Sequence, residues 1–337
     1  MENGISRVFN ARTNQTNGRS ATLSLAGAFS GMSIHSITTI GRECPTTAED
    51  KRESIMLGAL QGQILLGENP FVHSIWLPTT RNLSWSGCPV TPISPAFYSR
   101  RPLNVSQQEA VNAILSNDDA HRIVLIQGPP GTGKTTVIAA SVISTMASSD
   151  ETNTLWLVAQ SNVAVKNIAE KLAKEDFFDF KILVSKDFHF DWYLILLRCL
   201  IIYIKISLHF RHEHLYERIQ NNLIRSDEFV DDAVAVQRLL LGSRVLLCTI
   251  SMLSNFKLGT FTRLVPPQTV IFDEASQIEV GEYFPMLTLF RSTLRKLVFI
   301  GDDQQCEREH LFFSFVINVF FSGPIRAKRN PQTREYL

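Results

Sequence analysis

After residue 104 the apolar residues fall into five short runs, most of which show no alternation with polar residues. Val, Ile and Leu dominate these runs, which is typical of strands buried on both faces of a parallel sheet. Between the runs, apolar residues recur at three- and four-residue spacing, as in NVAVKNIAEKLAKE, which predicts helices. This alternation predicts an α/β fold of the doubly wound type. The predicted strands are RIVLIQ (122–127), TLWLVA (154–159), RVLLCTI (244–250), TVIFDE (269–274) and KLVFIGD (296–302).

The first part of the chain has a weaker pattern. Short apolar stretches such as GQILLG and VHSIWL alternate with Gly, Pro, Ser and Thr, which predicts small β-rich structure. CPVTPISPAFYSRRP then places four prolines within fifteen residues, as is common in linkers. We therefore expect a β-rich accessory or linker region over 1–103, followed by the α/β domain over 104–305.

The segment IQGPPGTGKTT fits the pattern G-x-x-x-x-G-K-[ST] between a predicted strand and a predicted helix. Glycines in such a loop let backbone N–H groups and the helix N-terminus face phosphate oxygens. A Gly/Pro turn could match by chance, but the flanks of the segment favour a site that binds nucleotide phosphates with Mg²⁺. Lys134 would then contact the β- and γ-phosphates, and Thr135 would ligate Mg²⁺. The candidate nucleotide-binding residues are Gly128, Pro129, Pro130, Gly131, Thr132, Gly133, Lys134, Thr135 and Thr136.

The predicted strand TVIFDE ends in two carboxylates, Asp273 and Glu274. Open α/β sheets bind ligands at the carboxyl ends of their strands. Asp273 is therefore a candidate Mg²⁺ ligand, and Glu274 is a candidate for polarising the attacking water. Acidic residues at a strand end are often merely solvated. Their position downstream of a phosphate-binding loop favours the catalytic interpretation.

Four segments, GPPGTGKTT, SNVAV, DEASQ and GDDQQ, occur in this order. Together they resemble the motifs of superfamily 1 helicases, especially the branch that includes the up-frameshift RNA helicase and senataxin. The resemblance covers about 104–305. It implies a RecA-like first motor domain that binds ATP and contacts single-stranded RNA or DNA.

The resemblance also implies roles for single residues. Gln107 in LNVSQQEAV would read adenine, although the pattern alone predicts only a helix start capped by Ser106. Ser161 and Asn162 match a motif that contacts the nucleic-acid backbone, with helix capping as the alternative. Thr249 in LLCTISML matches a neighbouring nucleic-acid motif more loosely.

Gln305 in GDDQQ would sense the γ-phosphate and complete a catalytic set with Lys134 and Glu274. Members of the family usually continue with Leu-Pro-Pro, whereas this chain continues with Cys306-Glu307-Arg308. The remaining segment, 306–337, is an atypical tail that is apolar at first and basic afterwards. It is shorter than the roughly 100–150 residues of a second motor domain. We therefore expect this chain alone to bind Mg-ATP weakly, to hydrolyse it slowly and not to unwind duplexes.

The most hydrophobic stretch, WYLILLRCLIIYIKISLHF (192–210), approaches the length of a membrane span. Arg198 and Lys205 interrupt it, and a span here would split one sheet across a bilayer. We therefore expect no stable membrane association, and we interpret 192–211 as an insert foreign to the fold that arose from a translated intron. A buried helix and a membrane anchor are the alternatives. Sequencing the mature transcript tests the interpretation, which an intact insert would contradict.

Composition says little about the partners and the cellular compartment of the protein. The net charge of +1 gives no overall attraction to nucleic acid, and the polar N-terminus lacks the apolar core of a signal peptide, so a cytoplasmic or nuclear protein is expected. The five cysteines include no CxxC pair, which argues against a disulfide framework or a zinc site.

The sequence thus predicts the ATP-binding motor of an ATP-dependent RNA or DNA helicase, with possible protein partners for the N-terminal region. The alternative is a nucleotide-gated module that binds nucleic acid or protein without helicase activity.

Overall fold

The computed structural model describes residues 11–17, 20–25, 46–76, 85, 93–96, 102–148, 150–186, 217–302 and 325–326. The chain divides into two compact units, Met1–Cys44 and Pro45–Leu337. In the first unit, β1 (Ala11–Asn17) and β2 (Ser20–Leu25) form an antiparallel hairpin with an irregularity between Thr13 and Gln15.

The second unit contains an eight-stranded sheet in which every pair of neighbouring strands is parallel. The order across it is β10-β3-β9-β8-β4-β7-β5-β6. The parallel sheet predicted from the unalternating apolar runs is thereby confirmed. Its strands are β3 (Ile123–Gln127), β4 (Leu155–Ala159), β5 (Lys181–Val184), β6 (Leu223–Arg225), β7 (Val245–Thr249), β8 (Thr269–Asp273), β9 (Lys296–Gly301) and β10 (Ile325–Arg326).

Nine helices among the described residues accompany this sheet, in addition to the helical residues 217–220. They are α1 (Thr47–Leu60), α2 (Pro70–Trp76), α3 (Val105–Leu115), α4 (Lys134–Met146), α5 (Asn162–Lys174), α6 (Ala233–Leu240), α7 (Ile250–Leu253), α8 (Gly259–Leu264) and α9 (Val280–Leu289). Helices α3, α4 and α5 cover one face of the sheet, and α2 and α6–α9 cover the other. The domain is therefore a three-layer α/β structure.

Alternate residues of each central strand enter different hydrophobic layers. In β3, Ile123 and Leu125 join the layer with α9, whereas Val124 and Ile126 join the layer with α3. Because both faces of the strand are buried, apolar residues occupy nearly every position, which explains the unbroken runs in the sequence. All five predicted strands are present. The short strands β5 and β6 were not predicted.

The described residues between 46 and 76 are mostly helical, which corrects the expectation of β-rich structure there. Thr46 and Glu49 form a capping box at the start of α1, and Pro70 is the first residue of α2. Thr and Pro serve here as helix starts and not as turns between strands. The compact unit that contains the sheet therefore includes α1 and α2.

A buried asparagine attaches α2 to α9. The side-chain amide of Asn69 donates to the carbonyl of Leu287 at 2.7 Å. Its Oδ1 accepts from the backbone N–H groups of Phe71 and Val72 at 2.9 and 3.2 Å. One side chain thus satisfies the start of α2 and a carbonyl in the last turn of α9, both of which would otherwise lack partners.

Two segments named in the sequence analysis lie outside the described residues: 192–211, and 306–337 apart from β10. Across the part of the chain that the structure describes, none of the helices has both the length and the hydropathy needed to cross a membrane.

Replacing Asn69 with Ala should lower the free energy of unfolding by about 2–4 kcal/mol, because a cap is lost and the buried Leu287 carbonyl loses its donor. Urea unfolding of the purified chain measures this loss. The exposed Asn221→Ala variant is the control and should differ from the wild type by less than about 0.5 kcal/mol. Equal effects of the two substitutions would contradict the assigned role of Asn69.

Candidate nucleotide-binding site

The carboxyl ends of β3, β9 and β8 bring three sequence motifs to one edge of the sheet. Gln127 in β3 pairs with Gly301 in β9, and Phe299 in β9 pairs with Phe272 in β8. The N–H of Gly128 donates to the carbonyl of Gly301 at 3.0 Å, one residue beyond the end of β3. The phosphate-binding loop therefore begins beside the segment Gly301–Asp302.

The phosphate-binding loop, residues 128–133, has the backbone conformation that its glycines permit. Gly131 and Gly133 have φ angles of +80° and +85°, in the left-handed region that side chains disfavour. Thr132 closes a turn, because its N–H and hydroxyl both donate to the carbonyl of Pro129, at 3.3 and 2.8 Å. Pro130 is exposed at the tip of the loop, so the loop surface is accessible to a ligand.

Lys134 is the first residue of α4 and points back to the loop. Its Nζ donates to the carbonyl of Gly128 at 2.6 Å and, at 3.4 Å, to that of Pro129. Thr135 and Thr136 follow in the first turn of α4 and are half-buried. This end of the helix combines a lysine ammonium with N-terminal backbone N–H groups, an arrangement that favours bound phosphate.

Asp273 ends β8 and is almost completely buried, with 6% of its surface exposed. Burial raises its pKa to about 6, against the lowering effect of the Glu274 N–H, which donates to Oδ1 at 3.0 Å. The Glu274 carboxylate adds to the rise, and the Lys134 ammonium opposes it. Lys134 and Asp273 therefore act on each other electrostatically, and a cation beside Asp273 would relieve the cost of its burial.

Glu274 has a φ angle of +53°, in the left-handed region that is rare for residues other than glycine. Strain of this kind persists where the surrounding structure holds the backbone in place. Here the hydroxyl of Tyr283 donates to the carbonyl of Ala275 at 3.0 Å. The Tyr283 ring also meets Phe272 and Phe299 edge-on, with centroids 5.0 and 5.5 Å away.

Gln107 lies against the phosphate-binding loop. Its Nε2 donates to the carbonyl of Thr132 at 2.9 Å, and its Oε1 accepts from the N–H of Asn104 at 3.0 Å. The cap of α3 is Asn104, whose Oδ1 accepts from the N–H of Gln107, so the expected cap at Ser106 is wrong. Asn104 and Gln107 have the three-residue spacing of a capping box, which is the physical reason for this start.

The candidate nucleic-acid residues lie at the carboxyl ends of two neighbouring strands. Ser161 follows β4 and caps α5, where its hydroxyl accepts from the N–H of Ala164 at 3.1 Å. Asn162 is the exposed first residue of α5, and Thr249 ends β7 opposite Ala159. These three residues share the sheet edge with Asp273. Gln305 lies outside the described residues.

Residues 102–186 match the family whose description is "AAA domain". The chain is 28% identical to "Regulator of nonsense transcripts 1" of Caenorhabditis elegans over 283 residues, 81% of this chain and 24% of that protein. It is 30% identical to "ATP-dependent helicase upf1" of Schizosaccharomyces pombe, over 60% of this chain and 22% of that protein. Identity to "DNA-binding protein SMUBP-2" of Mesocricetus auratus is 36%, over 26% of this chain and 8% of that protein.

These matches support a superfamily 1 helicase motor domain of the up-frameshift branch. The chain spans about a quarter or less of the length of these relatives.

No role was assigned from the sequence to three polar residues at this edge of the sheet. Asp302 is 4% exposed and directly follows Gly301, so it lies beside the start of the phosphate-binding loop. The Oε1 atoms of Gln127 and Gln160 are buried and have no hydrogen-bond partner among the described residues. Each glutamine stands at the end of an apolar run in the sequence. That position could have indicated that both residues lie at the carboxyl edge of the sheet.

The side chains at this sheet edge are of types that could hold a nucleotide together with a cation. Within the described part of the chain, no group of three or more His, Cys, Asp or Glu side chains is arranged to hold a metal ion. Mg²⁺ characteristically takes one or two protein ligands together with phosphate oxygens and water. Thr135 and the buried Asp273 could supply such a partial set, next to the lysine and helix N-terminus that favour phosphate.

The raised pKa of Asp273 predicts a pH-dependent effect of Asp273→Asn on the apoprotein. Ionising the buried carboxyl destabilises the folded state, so wild-type stability should fall as pH rises from the ordinary pKa of 3.8 to about 6. The variant avoids this cost. Without Mg²⁺, its advantage in free energy of unfolding should grow from near zero at pH 4 to at most about 3 kcal/mol at pH 8.

Urea unfolding at a series of pH values measures this advantage. Asp227→Asn is the matched control, because Asp227 is exposed and lies away from the site. An advantage that is the same at pH 4 and pH 8 would contradict the prediction.

Proposed function

We propose that this motor domain binds ATP with Mg²⁺ at the phosphate-binding loop and hydrolyses it. One observation carries the proposal: Lys134, which starts the helix after β3, and the buried Asp273, which ends β8, come from separate motifs and lie at the same edge of the sheet. A lysine for phosphate and a desolvated carboxylate for a hard cation are the two charges that a magnesium–nucleotide complex requires.

The proposed roles follow from the position of each side chain. Lys134 moves from its loop carbonyls to the β- and γ-phosphates, and Thr135 and Asp273 hold the metal. Mg²⁺, when bound, neutralises charge that develops on the phosphates. Glu274 orients the attacking water from its position directly after the end of β8. Gln107 reads the adenine from its place beside the loop.

We further propose that the domain couples ATP hydrolysis to movement along single-stranded nucleic acid. Ser161, Asn162 and Thr249 contact the strand backbone, since their hydroxyl and amide groups are suited to phosphate and sugar oxygens. Relatives of the chain bear the names of an ATP-dependent helicase and of a DNA-binding protein. The same sheet edge therefore serves ATP at one end and the nucleic-acid strand at the other.

The purified chain should bind ATP in the presence of Mg²⁺, and Lys134→Ala should weaken binding at least about tenfold, because a charge-assisted contact to phosphate is lost. Hydrolysis should fall by about 10² or more. Fluorescent-nucleotide titration and phosphate release measure the two effects. Lys174→Ala, on the exposed side of α5, is the control and should leave both unchanged.

Adding single-stranded RNA or DNA should increase the hydrolysis rate of the wild type but not that of Lys134→Ala. Comparing the two polymers reports which one the domain prefers. Unchanged ATP binding by Lys134→Ala would refute the proposed site. ATP binding that controls nucleic-acid affinity without hydrolysis would instead favour a nucleotide-gated binding module.

A further inference from the structure

A buried lysine lies at the sheet edge opposite the nucleotide site. Lys296 is the first residue of β9 and is 7% exposed. Its Nζ donates to the backbone carbonyls of Ala113 and Ile114, at 3.2 and 2.5 Å, and to that of Ser116. These carbonyls belong to the last turn and the C-cap of α3. One side chain therefore joins the start of β9 to the C-terminal end of α3.

The contact is favourable for the helix but costly for the lysine. The last carbonyls of a helix have no partners within the helix, and a cation there interacts favourably with the helix dipole. Burial, together with the charge of Arg122, lowers the pKa of Lys296 to about 7, whereas Asp118 opposes this. Core packing alone would be served better by an apolar residue. The presence of a lysine at this position is therefore better explained by the carbonyls of α3 that it binds.

The other end of α3 carries Gln107, whose side chain contacts the phosphate-binding loop. Between the two ends, Ala110, Val111 and Ile114 are buried in the same layer as α4, the helix that begins with Lys134. Helix α3 is thus a short rod of 11 residues, anchored at one end by Lys296 and touching the nucleotide site at the other. A shift at its C-terminal end would move Gln107 relative to the loop.

The end of the Gln107 side chain lies close to Gly133 in the phosphate-binding loop. A Cβ atom added at Gly133 would lie 2.5 Å from the Nε2 of Gln107. Strand β9 provides a second link, because its far end, Gly301, accepts from the N–H of Gly128. The start of β9 and the end of α3 meet at Lys296, and both elements reach the phosphate-binding loop.

We propose that Lys296 is a positioning residue for nucleotide binding, which fixes the C-terminal end of α3 against β9 and thereby holds Gln107 at the adenine side of the phosphate-binding loop. This inference rests on the proposed function of the loop. It predicts that Lys296 affects the choice of base although it lies at the opposite edge of the sheet. A general loss of stability in the domain would instead weaken the binding of all nucleotides to the same extent.

The test compares Lys296→Met with Lys181→Met. Lys181 is also a buried lysine at the start of a strand, β5, and burial lowers its pKa, but three strands of the sheet separate β5 from β9. Affinities for ATP and UTP are measured with Mg²⁺ present. Lys296→Met should weaken ATP binding about fivefold to tenfold and UTP binding much less, so that discrimination between the bases falls. Lys181→Met should leave the ratio of the two affinities unchanged.

A double-mutant cycle separates positioning from stability. If Lys296 acts through Gln107, Lys296→Met should have little further effect on ATP affinity in a Gln107→Ala background. Independent, additive losses would overturn the proposal, as would an equal loss of ATP and UTP affinity. If Lys296→Met does not fold, Lys296→Gln replaces it, since the shorter amide keeps two donors and should give a smaller change of the same kind.

Amide hydrogen exchange distinguishes failure of this inference from failure of the proposed function. Exchange over 105–115 should be faster in Lys296→Met than in the wild type or Lys181→Met, whether or not a nucleotide binds. If the wild type binds no ATP, the proposed function fails, and the exchange result alone decides whether Lys296 anchors α3. Equal exchange rates in the two lysine variants would overturn the anchor.

Discussion

The parallel pairing of β3, β9 and β8 is the constraint on which the site depends. Because the strands run in one direction, their carboxyl ends meet at one edge, and residues far apart in sequence become neighbours there. The hydrogen bond from Gly128 to Gly301 extends this register into the phosphate-binding loop. A slip of one residue would turn Asp273 to the opposite face of the sheet and separate it from Lys134.

Several energetically unfavourable features of the apoprotein lie at this same edge. Asp273 is a desolvated carboxylate, Lys134 is turned toward backbone carbonyls, and Glu274 has an unfavourable backbone conformation. The aromatic cluster behind the motif, formed by Phe272, Tyr283 and Phe299, offsets these costs by apolar burial. A nucleotide with its cation would complete the charge balance, so ligand binding and domain stability should be linked.

Local patterns in the sequence were sufficient to predict the central strands, the phosphate-binding loop and the two carboxylates at the end of β8. The order of the strands could not be predicted, because pairing joins segments such as 123–127 and 296–301 that no local pattern connects. The helix starts in 46–76 were missed because Thr and Pro suit both turns and helix caps. The contact of Gln107 with the loop, the anchor at Lys296 and the support from Tyr283 are tertiary, and only the packed structure brings these residues together.

Two separate requirements favour glycine at position 133, the turn of the loop into α4 and the space occupied by Gln107. The φ angle of +85° at this position already favours glycine, since the loop must turn into α4 at this point. The nearby Nε2 of Gln107 adds a second reason, because a side chain at 133 would collide with the residue proposed to read the base. The loop that holds phosphate and the helix that presents Gln107 are therefore fitted to each other. Whatever fixes α3 also fixes the geometry of the loop, which is why a lysine at the far edge of the sheet can matter for the nucleotide.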